Sequence, residues 1–114
     1  MSFEAYSVVR VPFPFTDRTA TMQRPALVLS NATTFNNGAG HSVMAMITSA
    51  AHRPWPLDCP IVDLEAAGLP APSMVRFKLF TLDHRLARGT LGRLGAEDEA
   101  SVRRALGVLF DGRA

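Results

Sequence analysis

"MQRPALVLS", residues 22–30, sets an arginine and a proline directly in front of five residues suited to a buried strand. Proline has no amide to give to a ladder and belongs at a strand's first position or on an edge, so Pro25 marks where loop becomes sheet. Residues 25–30 are apolar on both faces, which predicts a central strand. Arg24 is thereby held at a rigid loop-to-strand junction, a position suited to presenting a cation.

Working outward, residues 6–15, "YSVVRVPFPF", alternate Val9, Val11, Phe13 and Phe15 with Val8, Arg10, Pro12 and Pro14. That is a strand period, and the two prolines on one face predict an edge or bent strand. "TDRTATMQ" (16–23) reads as a polar loop, and "NATTFNNGAG" (31–40) is rich in turn residues. "HSVMAMITS" (41–49) alternates again, so strands two and three form a hairpin. "AAHRPWPLD" (50–58) is a loop, "CPIV" (59–62) a short strand, and "DLEAAGL" (63–69) a helical turn capped by Asp63 and stopped by glycine. "SMVRFKLFTLD" (73–83) is a strand with Arg76 and Lys78 on one face, and "RGTLGRL" (88–94) a last short strand. From about Glu97, the positions Val102, Ala105, Leu106, Leu109 and Phe110 follow helical spacing, with Gly112 just beyond the end. Short strands with Gly and Pro turns, closed by one helix, predict a mainly β small barrel with a short helix and a C-terminal α-helix.

The chain has 114 residues, a length that suits one domain spanning 1–114. No apolar run approaches the roughly 20 residues of a membrane span. "MSFEAYS" lacks the charged start and apolar core of a signal peptide, which points to the cytoplasm. Cys59 is the single cysteine, which excludes an internal disulfide and a zinc site built on thiolate pairs; it reads as a small buried apolar residue. The net charge is +2, and eleven of the 12 basic side chains are arginine. Arginine's planar fork suits phosphate, so a nucleic-acid partner is permitted without being demanded. Neither the carboxylates nor the histidines are spaced as a metal site.

Four pieces in order, "VVRVPFPFTD", "RPALVLS", "MITS" and "AGLPAPSMVRFKLFTLD", resemble the PemK/MazF family of type II toxin–antitoxin ribonucleases. The resemblance runs from about Tyr6 to Leu94. It implies an SH3-like small barrel of the CcdB/PemK/MazF kind, a homodimer, and a cognate antitoxin that covers the cleft holding RNA. It also implies cleavage of single-stranded RNA at short motifs, with no metal or cofactor. Family members assign cleavage to the arginine of the "RP" step and the threonine ending the third strand, which match Arg24 and Thr48. Two positions depart: Tyr6 and Ser7 stand where members commonly have Gly-Asp, and Met22 and Gln23 where a lysine often precedes the arginine.

Metal-free cleavage uses the RNA's own 2'-hydroxyl as nucleophile. The protein must align that oxygen, move protons and stabilise a dianionic phosphorane. Arg24 suits the last task, since a guanidinium forks to two phosphoryl oxygens; read without the resemblance, it could instead pair with Asp17 or Asp58. Thr48 offers a hydrogen bond, and Ser49 points to the opposite face. His52, close behind, has a side chain whose ordinary pKa of about 6.5 suits proton transfer; His41 and His84 show no partner. Arg76 and Lys78 are spaced for successive phosphates or are simply solvated or ion-paired. Trp55 either stacks on a base or plugs the barrel mouth or dimer seam. Asp17 reads as a turn residue. Two other functions remain open on the same barrel: a binding-only inhibitor of DNA gyrase, as CcdB is, acting through the C-terminal helix, and a binding barrel that does not cleave.

Overall fold

The structure, a computed structural model, describes residues 3–13 and 22–113. Pro14, Phe15 and Asp17 lie outside that range. Six strands form one antiparallel sheet: β1 (Ser7–Pro12), β2 (Gln23–Val28), β3 (His41–Ser49), β4 (Cys59–Pro60), β5 (Ser73–Asp83) and β6 (Thr90–Arg93). Their order is β4-β5-β3-β2-β1-β6, and the sheet curls into a half-barrel. The helices are α1 (Asn37–Ala39), preceded by a π-helical turn at Ala32–Asn36, then α2 (Leu64–Ala67) and α3 (Ala96–Asp111).

Alternation sorts the strands' side chains onto two cores. Val8, Leu27, Ala45, Ile47 and Val75 face α2 and α3, where Ile61, Ala67, Leu69, Val102 and Ala105 complete one core. Val9, Val11, Ala26, Val28 and Met44 face the other way and pack with Phe3 and Leu82. β2 is central, as its apolar character requires, and β2 and β3 pair antiparallel across the asparagine-rich connection. That connection is helical because Asn31 caps it, accepting from Thr34 N at 2.9 Å, while buried Asn36 ties it to Phe3 O and Ser30 O at 2.7 and 2.8 Å.

The first strand departs from its expected edge position. β1 pairs with β2 on one side and with β6 on the other, with a register shift between Val8 and Val9. The reason is local: Pro12 is its last residue, so neither ladder needs a proline amide in its middle. It is bent, but it is not an edge.

Tyr6 adopts φ +69°, a left-handed conformation that glycine takes without strain. Its backbone explains the conformation, because the amide donates to Val28 O at 2.6 Å and the carbonyl accepts from Leu94 N at 3.0 Å. The side chain offsets the strain: the ring is buried, with the Arg103 guanidinium 4.8 Å from its centroid. The departure from the glycine pattern is thus absorbed by packing against α3.

α2 presses backbone to backbone on β6. A Cβ at Gly68 would lie 2.1 Å from Leu91 O, and one at Gly92 2.4 Å from Ala66 O. Asp63 caps α2 as its sequence position predicts, accepting from Ala66 N at 3.0 Å. α3 ends at Gly112, φ +77°. Its apolar stripe is only half used: Val102 and Ala105 are buried, while Leu109 and Phe110 stay exposed.

Candidate functional site

The β2–β3 ladder runs from Val28↔Met44 to Ala26↔Met46 and then stops. Pro25 is the reason. The amide of its cross-strand partner Arg10 donates away from it, to Gly89 O, so the donorless nitrogen of Pro25 faces β3. With no bond to make there, β2 and β3 separate. Beyond the ladder's end Arg24 and Thr48 line the same hollows, each two places past the last pair, Ala26↔Met46. The proline therefore makes the gap into which the arginine projects.

A cleft of about 220 Å³ fills this gap, lined by Phe13, Arg24, Met46, Ile47, Thr48, His52, Arg76 and Lys78. A second hollow of similar size adjoins it, sharing Arg24 and Thr48 and walled by Ser49 and the Pro70–Ser73 turn. Of the sequence-predicted residues, Arg24, Thr48, His52, Arg76 and Lys78 meet in the first and Ser49 in the second. Trp55 stands at the rim, over Arg76.

Arg24 is half-buried, and its guanidinium carbon lies 5.2 Å from the Phe13 ring centroid. Its Nε is buried with no hydrogen-bond partner among the described residues. A buried donor left unpaired costs about 1–3 kcal/mol, a cost that an incoming anion removes. Asp58 is not its partner, for that carboxylate belongs to Arg76. Arg76 Nη2 donates to Asp58 Oδ2 at 3.0 Å and to Arg53 O at 2.6 Å, and its Nε to Asp58 Oδ1 at 3.3 Å. Both side chains of this pair are largely buried.

Arg76 is thus ion-paired rather than solvated. Its guanidinium lies 4.9 Å from the Trp55 ring centroid, and Asp58 also accepts from the Trp55 amide at 2.8 Å. Burial pushes the Asp58 carboxyl up, but the hydrogen bonds from Arg76 and the Trp55 amide outweigh it and hold the group below the usual carboxylate range. Lys78 has no ion-pair partner among the described residues. A register shift between Ala45↔Leu79 and Met46↔Arg76 bulges β5 at Phe77 and Lys78, and Lys78 is exposed at the cleft.

Trp55 does not fill the interior. It is 44% exposed, with Arg76 and Asp58 fixing its ring and backbone, so its position is a platform and not a plug within this chain. Cys59 is buried as expected, and burial followed by the Asp58 charge pushes its thiol up, away from nucleophile behaviour. His84 and His41 have partners after all: Ser42 Oγ lies 2.7 Å from His84 Nε2, and His41 reaches Ala39 O at 3.0 Å. Phe13 and Asp58 are the site residues the pattern did not single out. Phe13 appeared only as one of an alternating set, and Asp58 only as one possible partner for Arg24. Among the described residues, no group of three or more His, Cys, Asp or Glu could hold a metal ion. No helix there is long and apolar enough to cross a membrane.

The chain is thus a curled antiparallel sheet with Arg24 in a cleft where two strands part, its Nε unpaired among the described residues. Residues 4–110 match the family model described as PemK-like, MazF-like toxin of type II toxin-antitoxin system. The chain belongs to the PemK/MazF family of type II toxin–antitoxin toxins. Solved structures agree. The chain is similar to MazF in a MazE–MazF crystal structure from Deinococcus radiodurans, at 26% identity and a TM-score of 0.76, with 100% of each chain covered. It is similar to MazF crystallised alone from the same organism, at 27% identity and TM-score 0.73, over 97% of this chain and 98% of that one. A Mycobacterial endoribonuclease in complex with its cognate antitoxin shares the fold, at 14% identity and TM-score 0.73, over 96% and 94%. No curated protein matches the chain.

Proposed function

We propose that this toxin is a metal-independent endoribonuclease that cuts single-stranded RNA through the substrate's 2'-hydroxyl, leaving a 2',3'-cyclic phosphate and a 5'-hydroxyl. The observation that carries the reading is the Arg24 Nε, buried without a partner among the described residues and lining the same cleft as Thr48. An arginine committed to structure has its donors filled; one that meets a transient dianion must hold them ready. Thr48 supplies a neutral donor beside it. Lys78 adds charge for a neighbouring phosphate, and Trp55 a face on which an unpaired base stacks. Family membership and the solved likenesses to MazF, among them one bound to MazE, support the reading and make a protein antitoxin the expected partner.

The test is incubation with a mixed-sequence single-stranded RNA in EDTA, followed by mapping of the ends. Cyclic phosphates from the wild type are expected. Thr48→Ala removes one neutral hydrogen bond to the reacting group, about 1–1.5 kcal/mol, and is expected to lower the single-turnover rate roughly tenfold. Intact RNA with wild-type protein refutes the ribonuclease reading and leaves binding-only functions, of which gyrase inhibition would survive loss of Arg24 and Thr48.

The same proposal includes a homodimer. Leu79, Leu109 and Phe110 are exposed beside a hollow of about 300 Å³ lined by Leu29, Ser30, Val43, Leu79, Leu106 and Phe110. Phe110, 69% exposed on a well-formed helix, is the side chain a second copy would bury. Phe110→Asp is expected to convert a dimer into a folded monomer in light scattering. A monomeric wild type at micromolar concentration removes this part of the reading.

A further inference from the structure

Beside α2 lies a larger hollow of about 490 Å³, bordered by β1, β2, α2 and β6. Arg24 lines both this hollow and the Thr48 cleft. Its walls are apolar where Pro25, Leu64, Leu69 and Leu91 meet, and they carry Arg10 and Glu65. Those two charges share the hollow without pairing, and neither has a hydrogen-bond or ion-pair partner among the described residues. Both side chains are exposed and served by water in the free protein; a donor fork and a carboxylate around an apolar floor suit a ligand with a flat apolar face and both donors and acceptors on its rim. That is the chemistry of a nucleobase.

Among the bases, guanine fits both groups in full. Its N1–H and N2–H2 donate to the two oxygens of a carboxylate, and its O6 and N7 accept from an arginine fork. Uracil offers a carboxylate one donor only. The volume is within the roughly 300–1,000 Å³ of ordinary small-ligand sites, and the hollow is rigid because α2 is pressed backbone to backbone on β6 through Gly68 and Gly92. We propose that this hollow is a guanine subsite for the RNA nucleotide next to the phosphate that meets Arg24, with Glu65 and Arg10 reading the two edges of the base. The proposal rests on the ribonuclease reading for its substrate, and it moves part of base selection from the loops at 16–23 and 50–57 onto α2 and β1.

Two measurements test it. In the first, GMP and UMP are titrated into the folded protein and amide chemical shifts are followed. GMP is expected to move Leu64, Glu65, Leu69 and Leu91, and Glu65→Gln to weaken it at least tenfold, with UMP weak throughout. Glu65 is exposed, so this substitution leaves the fold alone, and the amide spectrum checks that. In the second, the ends made in mixed-sequence RNA are sequenced for wild type, Glu65→Gln and Arg10→Ala. A guanine preference at one position flanking the cut is expected, flattened about tenfold in both variants. Shifts by GMP elsewhere or nowhere, or a cut motif identical in all three proteins, overturn the subsite. A protein that binds GMP in this hollow but never cuts RNA keeps the subsite and overturns the ribonuclease reading instead.

Discussion

Arg24→Ala is expected to slow RNA cleavage by roughly 100- to 1,000-fold in a single-turnover assay, the range for removing a preorganised donor aimed at developing charge. The attack of a 2'-oxygen on phosphorus raises the charge on the phosphoryl oxygens, so a guanidinium already in place stabilises the transition state more than the substrate. Arg24 is held for this by Pro25 behind it and the Phe13 ring beside it, at 5.2 Å. Arg24→Lys keeps the charge and loses the fork, and a rate between the two is expected, about tenfold below wild type. The loss is catalytic and not structural. The wild-type Nε is buried without a partner among the described residues, so its removal takes away an unmet donor, and the urea midpoint of Arg24→Ala is expected at or slightly above wild type. Arginine stays protonated through the working range, so the residual activity keeps the wild-type pH profile. A changed profile would show Arg24 moving a proton and would overturn the electrostatic role. A variant that cuts at the wild-type rate would leave the orphaned donor without an explanation.

Much of this fold is legible in local pattern. Alternation marks β1, β3 and β5 because each has its two sets of side chains in different surroundings, and the Asp63 cap and Gly112 stop are single-residue signals with local causes. What local pattern does not carry is who sits beside whom. β1 reads as an edge because its prolines count against pairing, yet its second neighbour, β6, lies some 80 residues later and pairs only with Ser7, Val8 and Val9, ahead of Pro12. The site divides the same way. The proline singles out Arg24, but not as a loop-to-strand junction: β2 begins at Gln23 and pairs with β1 through Arg24 and Pro25, so the proline ends only the β2–β3 ladder. Thr48 is legible only by resemblance; its place beside Arg24 follows from the β2–β3 pairing, which no spacing encodes. Arg76 and Lys78 look equivalent two places apart on a strand. A bulge and the carboxylate of Asp58, 18 residues earlier, make one a largely buried ion-paired clamp on Trp55 and leave the other exposed at the cleft.

Asp98 lies in the first turn of α3, where an acid reads from sequence as a favourable charge near a helix start. Its structural role is larger. The side chain is buried and accepts from Val62 N at 2.9 and 3.1 Å and from Asp63 N at 2.9 Å. One carboxylate therefore satisfies two of the three backbone amides between β4 and α2, on the segment that leads to Glu65 at the larger hollow. Asp98→Ala removes charge-assisted bonds and strands both amides, and a loss of about 4 kcal/mol in unfolding free energy is expected from urea denaturation. Asp98→Asn keeps one acceptor but turns an NH2 group towards an amide, and about half that loss is expected. The two variants separate a capture of backbone amides from a mere charge effect at the helix start, which would make alanine and asparagine equivalent at under about 1 kcal/mol. The tether also reaches function by a route distinct from that of Arg24. Loosening it frees α2 from its place against β6, so Asp98→Asn at a temperature where it stays folded is expected to blur base preference at the cut before it lowers the rate. In the proposed reaction Arg24 is expected to act on the charge of the reacting phosphate, and Asp98 only on where the neighbouring wall stands.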